Sequence, residues 1–340
     1  MMNEIGIKLN DPMSIAGIDT TTLTDSELKP LVIYHGNCAD GFSAAWCFWD
    51  ISNKNFDFHP GIYSDAPPDV TDRVVYLVDF SYKCAVVEEM LHKAKHIYLI
   101  DHHKTAIEDL LFDGKEYDGF DLRRYPNFTA YVDLDRSGAM LAWDFLHNVQ
   151  WVINESGLAT EIAEEFILGH EQYVAPPLLL EHIQDRDLWK FKLPLTREIQ
   201  ANVFSYEYTF ENWDKLMKAN RAELVEIAVG GMAIERKHHK DIAELVKVCQ
   251  RNAIIGGCVV PVASLPYIFS SDAGHLMAKT YMSGKKFAAC YWDTATHRIF
   301  SLRSTEEGMD VSEIAKQYGG GGHKHAAGFR VDRHHDLAGI

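Results

Sequence analysis

Short apolar runs that end in histidine or aspartate recur through the first half of this chain. These runs are Leu31–His35, Val74–Asp79, His96–Asp101 and Thr129–Asp133. Segments with helical character lie between or after them, at Gly41–Asp50, Cys84–Ala94 and Ala139–Leu146. Apolar strands that alternate with helices are typical of a parallel sheet that is covered on both faces. We therefore predict a doubly wound α/β fold for this part of the chain.

Candidate ligands for a metal ion stand at the ends of these predicted strands. In sheets of this class, ligands bind beyond the carboxyl ends of the strands, where His35, Asp79 and Asp101 all fall. Further carboxylates and imidazoles come from Asp40, His102, His103, Asp185 and Asp187. Such mixed ligands suit Mn²⁺ or a similar ion, and two ions about 3.5–4 Å apart can activate water against a phosphate. A lone aspartate at a strand end is more often a turn or cap residue, so spacing alone leaves both roles open.

The second half of the chain predicts a separate, smaller α/β domain. Residues 211–250 read as one or two long charged helices, and Gly230-Gly231 is the candidate break if there are two. Strand-like runs follow at Ala253–Ile255, Val259–Val262, Lys286–Tyr291 and Arg298–Leu302. The predicted organisation is therefore an N-terminal extension (1–29), a first domain (30–210), a helical linker (211–250) and a second domain (251–335).

A glycine-rich segment near the C-terminus is a candidate phosphate site. Four consecutive glycines, Gly319–Gly322, precede His323 and His325. Backbone amides in a glycine run can approach an anion closely and form a binding nest. His323 could add a donor, and Arg303 could hold a phosphate with its planar guanidinium. A flexible turn is the commoner meaning of such a run in isolation, so both interpretations stay open at this point.

Composition restricts the partners that we expect. The 340-residue chain has a formal net charge of −16, which is unlike a protein that grips long nucleic acid through a basic stripe. No apolar stretch approaches the roughly 18 residues of a membrane helix, and no secretory signal pattern opens the sequence. The six cysteines include no C-x-x-C pair, and we expect them to be reduced. We therefore expect a cytoplasmic protein with no membrane partner.

Taken in order, these motifs resemble those of the DHH phosphoesterase superfamily, whose name is the tripeptide found at Asp101-His102-His103. The first family motif is similar to the segment from His35 to Gly41, and the second to Asp79. The fourth is similar to Asp185, with Asp187 the less favoured alternative. The segment from Phe300 to Gly328 is similar to the DHH-associated substrate-binding domain, and the whole resemblance covers roughly residues 31–330.

The resemblance implies a binuclear metal centre, usually occupied by manganese. His35 and Asp79 would hold one ion, while Asp40, Asp79, His102 and Asp185 would hold the other. Asp101 would orient a ligand, and His103 would position the scissile phosphate or help the leaving group, so these two are the implied catalytic residues. The implied substrate-binding residues are Arg303, Gly320, Gly321, Gly322, His323 and His325.

Cys38 departs from the family pattern, because members commonly carry aspartate at this position. A thiolate is a softer ligand and would shift the metal preference toward Zn²⁺, Fe²⁺ or Co²⁺. The alternative, which we favour from the sequence, is that Cys38 lies near the site without being essential. The identity and number of the metal ions therefore stay open.

The resemblance and the acidic charge favour a nanoRNase-like hydrolase that converts short oligonucleotides to nucleoside monophosphates. Alternatives with the same chemistry are hydrolysis of cyclic or linear dinucleotides and removal of phosphate from 3′-phosphoadenosine 5′-phosphate. RecJ-like digestion of long single strands is disfavoured, because it would require a basic channel and the sequence shows no basic stripe that could form one. A catalytically inactive nucleotide-binding sensor is the alternative from another class, and Cys38 is its only support. The sequence leaves open the preference for RNA or DNA, the direction of cleavage and whether the protein forms a homodimer.

Overall fold

The computed structural model describes residues 28–36, 38–52, 55–63, 65–111, 122–147, 174–280 and 287–339, together with four short strands outside these ranges. The chain divides into two compact units. Unit 1 comprises residues 1–102 and 109–229, and unit 2 comprises residues 103–108 and 230–340. Most of the predicted N-terminal extension (1–29) lies outside the described residues.

The first 217 residues contain the parallel sheet and most of the helices. The strands are β1 (Ser14–Ile15), β2 (Ile18–Asp19), β3 (Leu31–His35), β4 (Asp57–Gly61), β5 (Val74–Val78), β6 (His96–Asp101), β7 (Phe128–Val132), β8 (Trp151–Ile153) and β9 (Ala159–Glu161). The helices are α1 (Ala39–Ser52), α2 (Cys84–Leu91), α3 (Lys104–Leu110), α4 (Gly138–His147), α5 (Leu178–Asp187), α6 (Thr196–Val203) and α7 (Phe210–Met217). The sequence of residues 155–192 predicts a mostly helical segment. This is confirmed for 178–187 at α5 and is wrong for 159–161, which form strand β9, while residues 154–158 and 162–173 lie outside the described residues.

The main sheet of unit 1 has five parallel strands in the order β4-β3-β5-β6-β7. The chain places β4 on one side of β3 and then returns to build β5, β6 and β7 on the other side. Strand order therefore reverses between β3 and β5. The carboxyl edge at such a reversal is the usual ligand crevice of an open α/β sheet. The predicted α/β fold class with a parallel sheet is confirmed.

Alternation along the strands supplies both faces of the core. Val32, Tyr76 and Ile100 point to the face that packs against α1, α4 and the later helices of unit 1. Their neighbours Ile33 and Leu77 are also fully buried, on the opposite face by the period of two. Burial on both faces explains why these strands read as continuous apolar runs.

Strand β4 was not predicted, and its sequence explains why. Its residues read Asp-Phe-His-Pro-Gly, with neither an apolar run nor a clear alternation. It lies at the edge of the sheet, where Pro60 costs no ladder hydrogen bond on the open side. The position of β4 therefore depends on pairing with β3 more than on the β-strand propensity of its own residues.

Helix α8 (Arg221–Cys249) is continuous through Gly230-Gly231, so the helix does not end at this candidate break. The division between the units falls within this helix, between Val229 and Gly230. Helical glycine costs only about 1 kcal/mol relative to alanine, which a 29-residue helix with packed segments tolerates. No helix among the described residues is long and apolar enough to cross a membrane.

Unit 2 contains a six-stranded mixed sheet in the order β10-β11-β12-β13-β15-β14. Its strands are β10 (Arg251–Ile255), β11 (Cys258–Ser264), β12 (Phe287–Asp293), β13 (His297–Ser304), β14 (Gly321–His323) and β15 (Ala326–Asp332), and its short helices are α9 (Ser270–Thr280) and α10 (Val311–Lys316). One face packs on α9 and the end of α8, through Met277 and Ile242. The other face packs on α10, through Ile314. The predicted smaller α/β domain is confirmed as a fold class.

Candidate metal centre

Three neighbouring strand ends of unit 1 converge at the point where the strand order reverses. β3 ends at His35, β5 is followed at once by Asp79, and β6 ends at Asp101. The strands are parallel, with Tyr34 opposite Val78 in the β3–β5 pair. Side chains that follow these strands therefore share one edge of the sheet. This is the arrangement that the sequence predicted for His35, Asp79 and Asp101.

His35, Cys38 and Asp79 form one group of candidate ligands. One donor atom from each lies within 4.8 Å of the other two. His35 Nδ1 is 3.6 Å from Asp79 Oδ2. Cys38 is thus placed among the candidate ligands, in the turn between β3 and α1. A donor set of imidazole, thiolate and carboxylate suits Zn²⁺, Fe²⁺ or Co²⁺.

Asp40, His102 and Asp187 form a second group with the same spacing of donor atoms, within 4.8 Å. His102 Nε2 lies 3.6 Å from Asp40 Oδ2 and 3.5 Å from Asp187 Oδ2. The same nitrogen is 3.0 Å from Asp79 Oδ1. Asp79 therefore touches a member of each group with a different carboxylate oxygen, which is the position that a bridging ligand requires.

Asp79 is held in an uncommon backbone conformation. Its φ is 52°, in the left-handed region, and it is one of the few non-glycine residues with positive φ among the described residues. Aspartate tolerates this region better than most residues, and such outliers cluster at functional sites. The turn places both carboxylate oxygens over the carboxyl edge of the sheet, while the Asp79 amide still donates to the Ile100 carbonyl at 2.9 Å.

Gly138 makes room for the Asp79 side chain. A Cβ atom at Gly138 would lie 2.5 Å from Asp79 Cβ and 2.7 Å from Asp79 Oδ1, closer than side chains can approach. The first residue of α4 thus has to be glycine for Asp79 to occupy this position. The sequence of Ser137-Gly138 predicts a helix cap, and nothing in the local pattern indicates contact with Asp79.

Asp40 is positioned by the beginning of the same helix. Its carboxylate accepts hydrogen bonds from the Gly138 amide at 2.6 Å and the Ala139 amide at 3.2 Å. A carboxylate at a helix N-terminus is stabilised by the unpaired amides and by the helix dipole. Gly41 allows this fit, since a Cβ there would lie 2.5 Å from the His35 carbonyl oxygen. The Asp-Gly of the first motif is thus explained by packing.

Asp101 is fully buried and acts on the backbone that follows it. Its Oδ1 accepts a hydrogen bond from the His102 amide at 2.7 Å. This contact fixes the turn in which the His102 imidazole faces Asp40 and Asp79. The predicted orienting role of Asp101 is consistent with this geometry, and a direct catalytic role stays a prediction.

The charges of the site are strongly coupled. Burial, with repulsion from the Asp187 and Asp79 carboxylates, raises the pKa of Asp40 well above its usual range. Burial lowers the pKa of His102, but its hydrogen bond to Asp79 and the neighbouring carboxylates outweigh this and leave that pKa well above its usual value. His35 shows the same balance, with Asp79 and Cys38 raising its pKa against the effect of burial. Crowded carboxylates that favour protons in this way equally favour a divalent cation.

Asp185, the favoured candidate for the fourth motif, belongs to neither of these two ligand groups. Its carboxylate accepts hydrogen bonds from the amides of Lys192 and Leu193 and from the Thr196 hydroxyl, at 2.7–3.0 Å. Asp187, the less favoured alternative, is the carboxylate beside His102, with its side chain 27% exposed. Both lie in one helix, α5, and sequence spacing could not decide which of them faces His102.

The glycine-rich segment of unit 2 is a tight hairpin between β14 and β15. The Gly322 amide donates to Thr105 Oγ1 at 2.9 Å, and the Gly320 amide donates to the Ala315 carbonyl at 2.9 Å. Gly321 pairs with Gly328 across the hairpin. The sequence predicted a nest of amides open to an anion. In the structure the Gly320 and Gly322 amides instead donate hydrogen bonds within the protein. A Cβ at Gly320 would lie 2.1 Å from the Gly328 carbonyl oxygen, so close packing explains that glycine.

The remaining predicted binding residues lie near this hairpin. The His323 ring stacks on the His103 ring with centroids 4.4 Å apart. His325 Nδ1 is 2.8 Å from Ser304 Oγ, and burial lowers the pKa of His325. Arg303, on β13, donates to the Leu302 carbonyl and to Ser301 Oγ and Ser271 Oγ. These contacts fix the guanidinium plane before any ligand binds.

Residues 103–108 are joined to unit 2 by ion pairs as well as by the hairpin. Lys104 Nζ lies 2.7 Å from Asp310 Oδ2 and 3.2 Å from Glu313 Oε1. Lys316 pairs with Glu108. The third residue of the Asp101-His102-His103 tripeptide is therefore held by unit 2, and its first two residues are held by unit 1.

Comparison with known proteins gives one sequence relative and a set of similar folds. No family model matches the chain. An uncharacterized protein of Acanthamoeba polyphaga mimivirus is 25% identical over 346 residues, covering 95% of this chain and 70% of the relative. Two structures of RecJ from Thermus thermophilus, one in complex with Mn²⁺ and one with Mg²⁺, are 15% and 16% identical with TM-scores of 0.42 and 0.37. The matches cover 90% of this chain and 50% and 47% of RecJ, respectively.

The solved DHH domain of a protein assigned to a family of ribosomal proteins has a TM-score of 0.51. The match covers 89% of this chain and 83% of that domain, with 12% sequence identity, and it shows likeness of fold. The fold of this chain is therefore similar to that of a solved DHH domain, as the motif resemblance predicted, and the Asp-His-His tripeptide begins at Asp101, the last residue of β6.

Proposed function

We propose that this protein is a divalent-metal-dependent phosphodiesterase that hydrolyses short oligonucleotides to nucleoside monophosphates. The observation that carries the proposal is the place of Asp79, whose two carboxylate oxygens face one member of each ligand group, His35 at 3.6 Å and His102 at 3.0 Å. Two adjoining ligand groups with a shared carboxylate are the pattern of a two-metal hydrolase.

The residues present fit a pair of divalent cations. Asp40 and Asp79 are 2% and 1% exposed, and burying two carboxylates so close together is unfavourable without compensating positive charge. Imidazoles and a thiol complete the donor set. Ions bound here would polarise the phosphate and lower the pKa of a coordinated water. Mn²⁺ suits the carboxylate-rich second group, and Cys38 adds a preference for a softer ion in the first.

The chain's own residues would prepare the site in three ways. Gly138 and the left-handed turn hold Asp79 between the two groups, the α4 amides hold Asp40, and Asp101 fixes the His102 backbone. In the proposed reaction, water adds to phosphorus, the P–O bond to the neighbouring nucleotide breaks, and a proton passes to that leaving oxygen. We propose His103 as the group that positions the phosphate or assists the leaving oxygen.

We further propose that unit 2 holds the nucleotide, through Arg303, His323 and His325. The bonded amides of Gly320 and Gly322 favour side-chain donors over a backbone nest for this role. Arg303 is suited to the task because the two serine hydroxyls and the Leu302 carbonyl already orient its guanidinium.

Product analysis tests the proposed function. The full chain is incubated with Mn²⁺ and 5′-labelled RNA of two, five and twenty nucleotides, beside a cyclic dinucleotide. We expect the shortest linear substrates to be converted to monophosphates fastest. Preference for the cyclic dinucleotide would instead assign signalling-nucleotide turnover. Binding without any product, under Mn²⁺, Zn²⁺, Fe²⁺ and Co²⁺ in turn, would refute the enzymatic proposal and favour a nucleotide sensor.

The position of Cys38 leads to a spectroscopic prediction. If Cys38 is a ligand, Co²⁺ added to the apoprotein should give a thiolate-to-metal charge-transfer band in the near ultraviolet. Cys38→Ser should lose this band and weaken Zn²⁺ binding by at least about tenfold, since even loss of an outer-shell partner costs that much. Cys84→Ser, a partly exposed cysteine at the start of α2, is the matched control and should keep both properties. An unchanged band in Cys38→Ser would place Cys38 outside the coordination sphere.

A further inference from the structure

Aromatic rings and guanidinium groups pack together around the loop that joins α5 to α6, with members from the loop and from the helix ends beside it. We call this set the aromatic–arginine ladder, and its members are Arg186, Trp189, Phe191, Arg197 and Phe204, with the Trp189 and Phe191 ring centroids 5.0 Å apart. Arg186 lies 4.5 Å from the Phe204 ring centroid and 5.9 Å from that of Trp189. Arg197 lies 5.6 Å from the Trp189 centroid and 3.8 Å from that of Phe191.

The ladder is locally basic in an acidic protein. Residues 186–197 contain four basic side chains and one acidic side chain, in a chain whose net charge is −16. Lys190 and Lys192, in the same loop, are exposed, and Phe204 is 39% exposed. Partly exposed rings beside cationic groups are the combination that binds single-stranded nucleic acid, in which bases stack and phosphates pair with cations.

The backbone of this loop is strained and firmly held. Trp189, Phe191 and Leu195 have φ values of 56°, 46° and 66°, a region that costs energy for large side chains. The buried Asp185 carboxylate keeps the loop in this shape by accepting from the Lys192 and Leu193 amides. Strain that the surrounding structure enforces is common at ligand clamps. In this chain the strained residue Trp189 follows the candidate ligand Asp187 by two positions.

We infer that the aromatic–arginine ladder binds the nucleotides that adjoin the scissile phosphate in a single-stranded oligonucleotide. A base stacks on Trp189, and Arg197 with the exposed lysines pairs with the backbone phosphates. This inference rests on the proposed function and deepens it, because it names the surface that binds the nucleotides next to the cleaved bond in a short oligonucleotide. A ladder that served only to stiffen the loop would not change affinity for nucleic acid.

The test is binding without catalysis. Affinity of the full chain for a 5′-fluorescein-labelled heptaadenylate is measured by fluorescence anisotropy, with a chelator present and no divalent ion. We expect Trp189→Ala to weaken binding about tenfold and Trp189→Phe to retain most of it, because stacking needs only a ring. Arg197→Ala should also lower the slope of log Kd against log salt concentration by about 0.7, the contribution of one phosphate contact. Tyr267→Ala, an aromatic residue of unit 2 that is 61% exposed, is the matched control and should bind like the wild type.

A parallel assay separates this inference from the proposed function. Wild-type hydrolysis of a dinucleotide with Mn²⁺ reports on the metal centre. If the wild type hydrolyses the dinucleotide but Trp189→Ala binds heptaadenylate as well as the wild type does, the inferred binding role of the ladder is wrong and the proposed enzymatic function stands. The same conclusion follows if the wild type hydrolyses the dinucleotide but does not bind heptaadenylate. Loss of binding in Trp189→Ala without any hydrolysis would support the ladder and refute the enzyme. If Trp189→Ala has a lower melting temperature than the wild type, the salt dependence of Arg197→Ala provides the test instead. An unchanged slope of log Kd against log salt concentration in Arg197→Ala would then refute the inferred role of the ladder.

Discussion

Asp79→Asn is expected to lower kcat for dinucleotide hydrolysis by about 10²–10³-fold or more, because it weakens the ligand shared by both metal groups. Several kcal/mol of transition-state stabilisation depend on bound ions in such sites, and each 1.36 kcal/mol corresponds to a factor of ten. Asparagine keeps the shape of the side chain and tolerates positive φ, so the fold should survive. The measurement is kcat with Mn²⁺, together with the metal content of the purified variant.

Asp69→Asn is the matched control for this prediction. Asp69 is an exposed aspartate whose side chain bonds to Thr71, outside the ligand groups. This variant should keep the wild-type rate and metal content. Asp79→Asn with a normal rate and normal metal content would show that the site has been assigned to the wrong carboxylate.

Gly138→Ala is expected to remove at least 99% of the activity, a loss of about a hundredfold, although helix propensity alone would favour alanine by about 1 kcal/mol. The added methyl would meet Asp79 Cβ at 2.5 Å and Oδ1 at 2.7 Å, so either α4 or the Asp79 turn has to move. Overpacking of this kind usually costs about 1–3 kcal/mol of unfolding free energy. Activity and thermal denaturation are measured together, so that loss of the site and loss of the fold are seen separately.

Gly230→Ala provides the comparison, since Gly230 is an exposed glycine inside the continuous helix α8. There alanine should raise the melting temperature slightly. If Gly138→Ala instead behaved like Gly230→Ala, with normal turnover and equal or higher stability, the close contact between Gly138 and Asp79 would be wrong.

Local sequence was sufficient where the physical signal was local. The cores of β3, β5 and β6 are buried on both faces, and their apolar runs predicted both the strands and the polar residues at their ends. Edge strand β4 carries no such signal, because its position depends on pairing with β3. The unbroken helix through Gly230-Gly231 likewise depends on packing at both ends of α8 and on a cost of glycine too small to end a long helix.

The site divides in the same way. Ordered motifs in the sequence identified His35, Asp40, Asp79 and His102 as candidate ligands, since each is a polar residue beside a buried strand or helix. The sequence could not show which of Asp185 and Asp187 lies beside His102. The answer depends on the directions in which these two side chains of α5 point. The glycine hairpin was expected to leave its amides open, but Thr105, which lies 217 positions from Gly322, accepts one of them.

Residue type, order and apolar periodicity were enough to predict the α/β class, which the structure confirms, and to indicate the carboxyl edge and most of the candidate ligands. Contacts between distant segments established the rest: the shared position of Asp79, the space that Gly138 leaves for it, and the ladder that Arg186 and Arg197 form with rings from two segments. Burial periodicity is a property of neighbouring residues, so it is visible in sequence. Van der Waals contact and charge coupling depend on distances between atoms that are remote along the chain, and folding alone sets those distances.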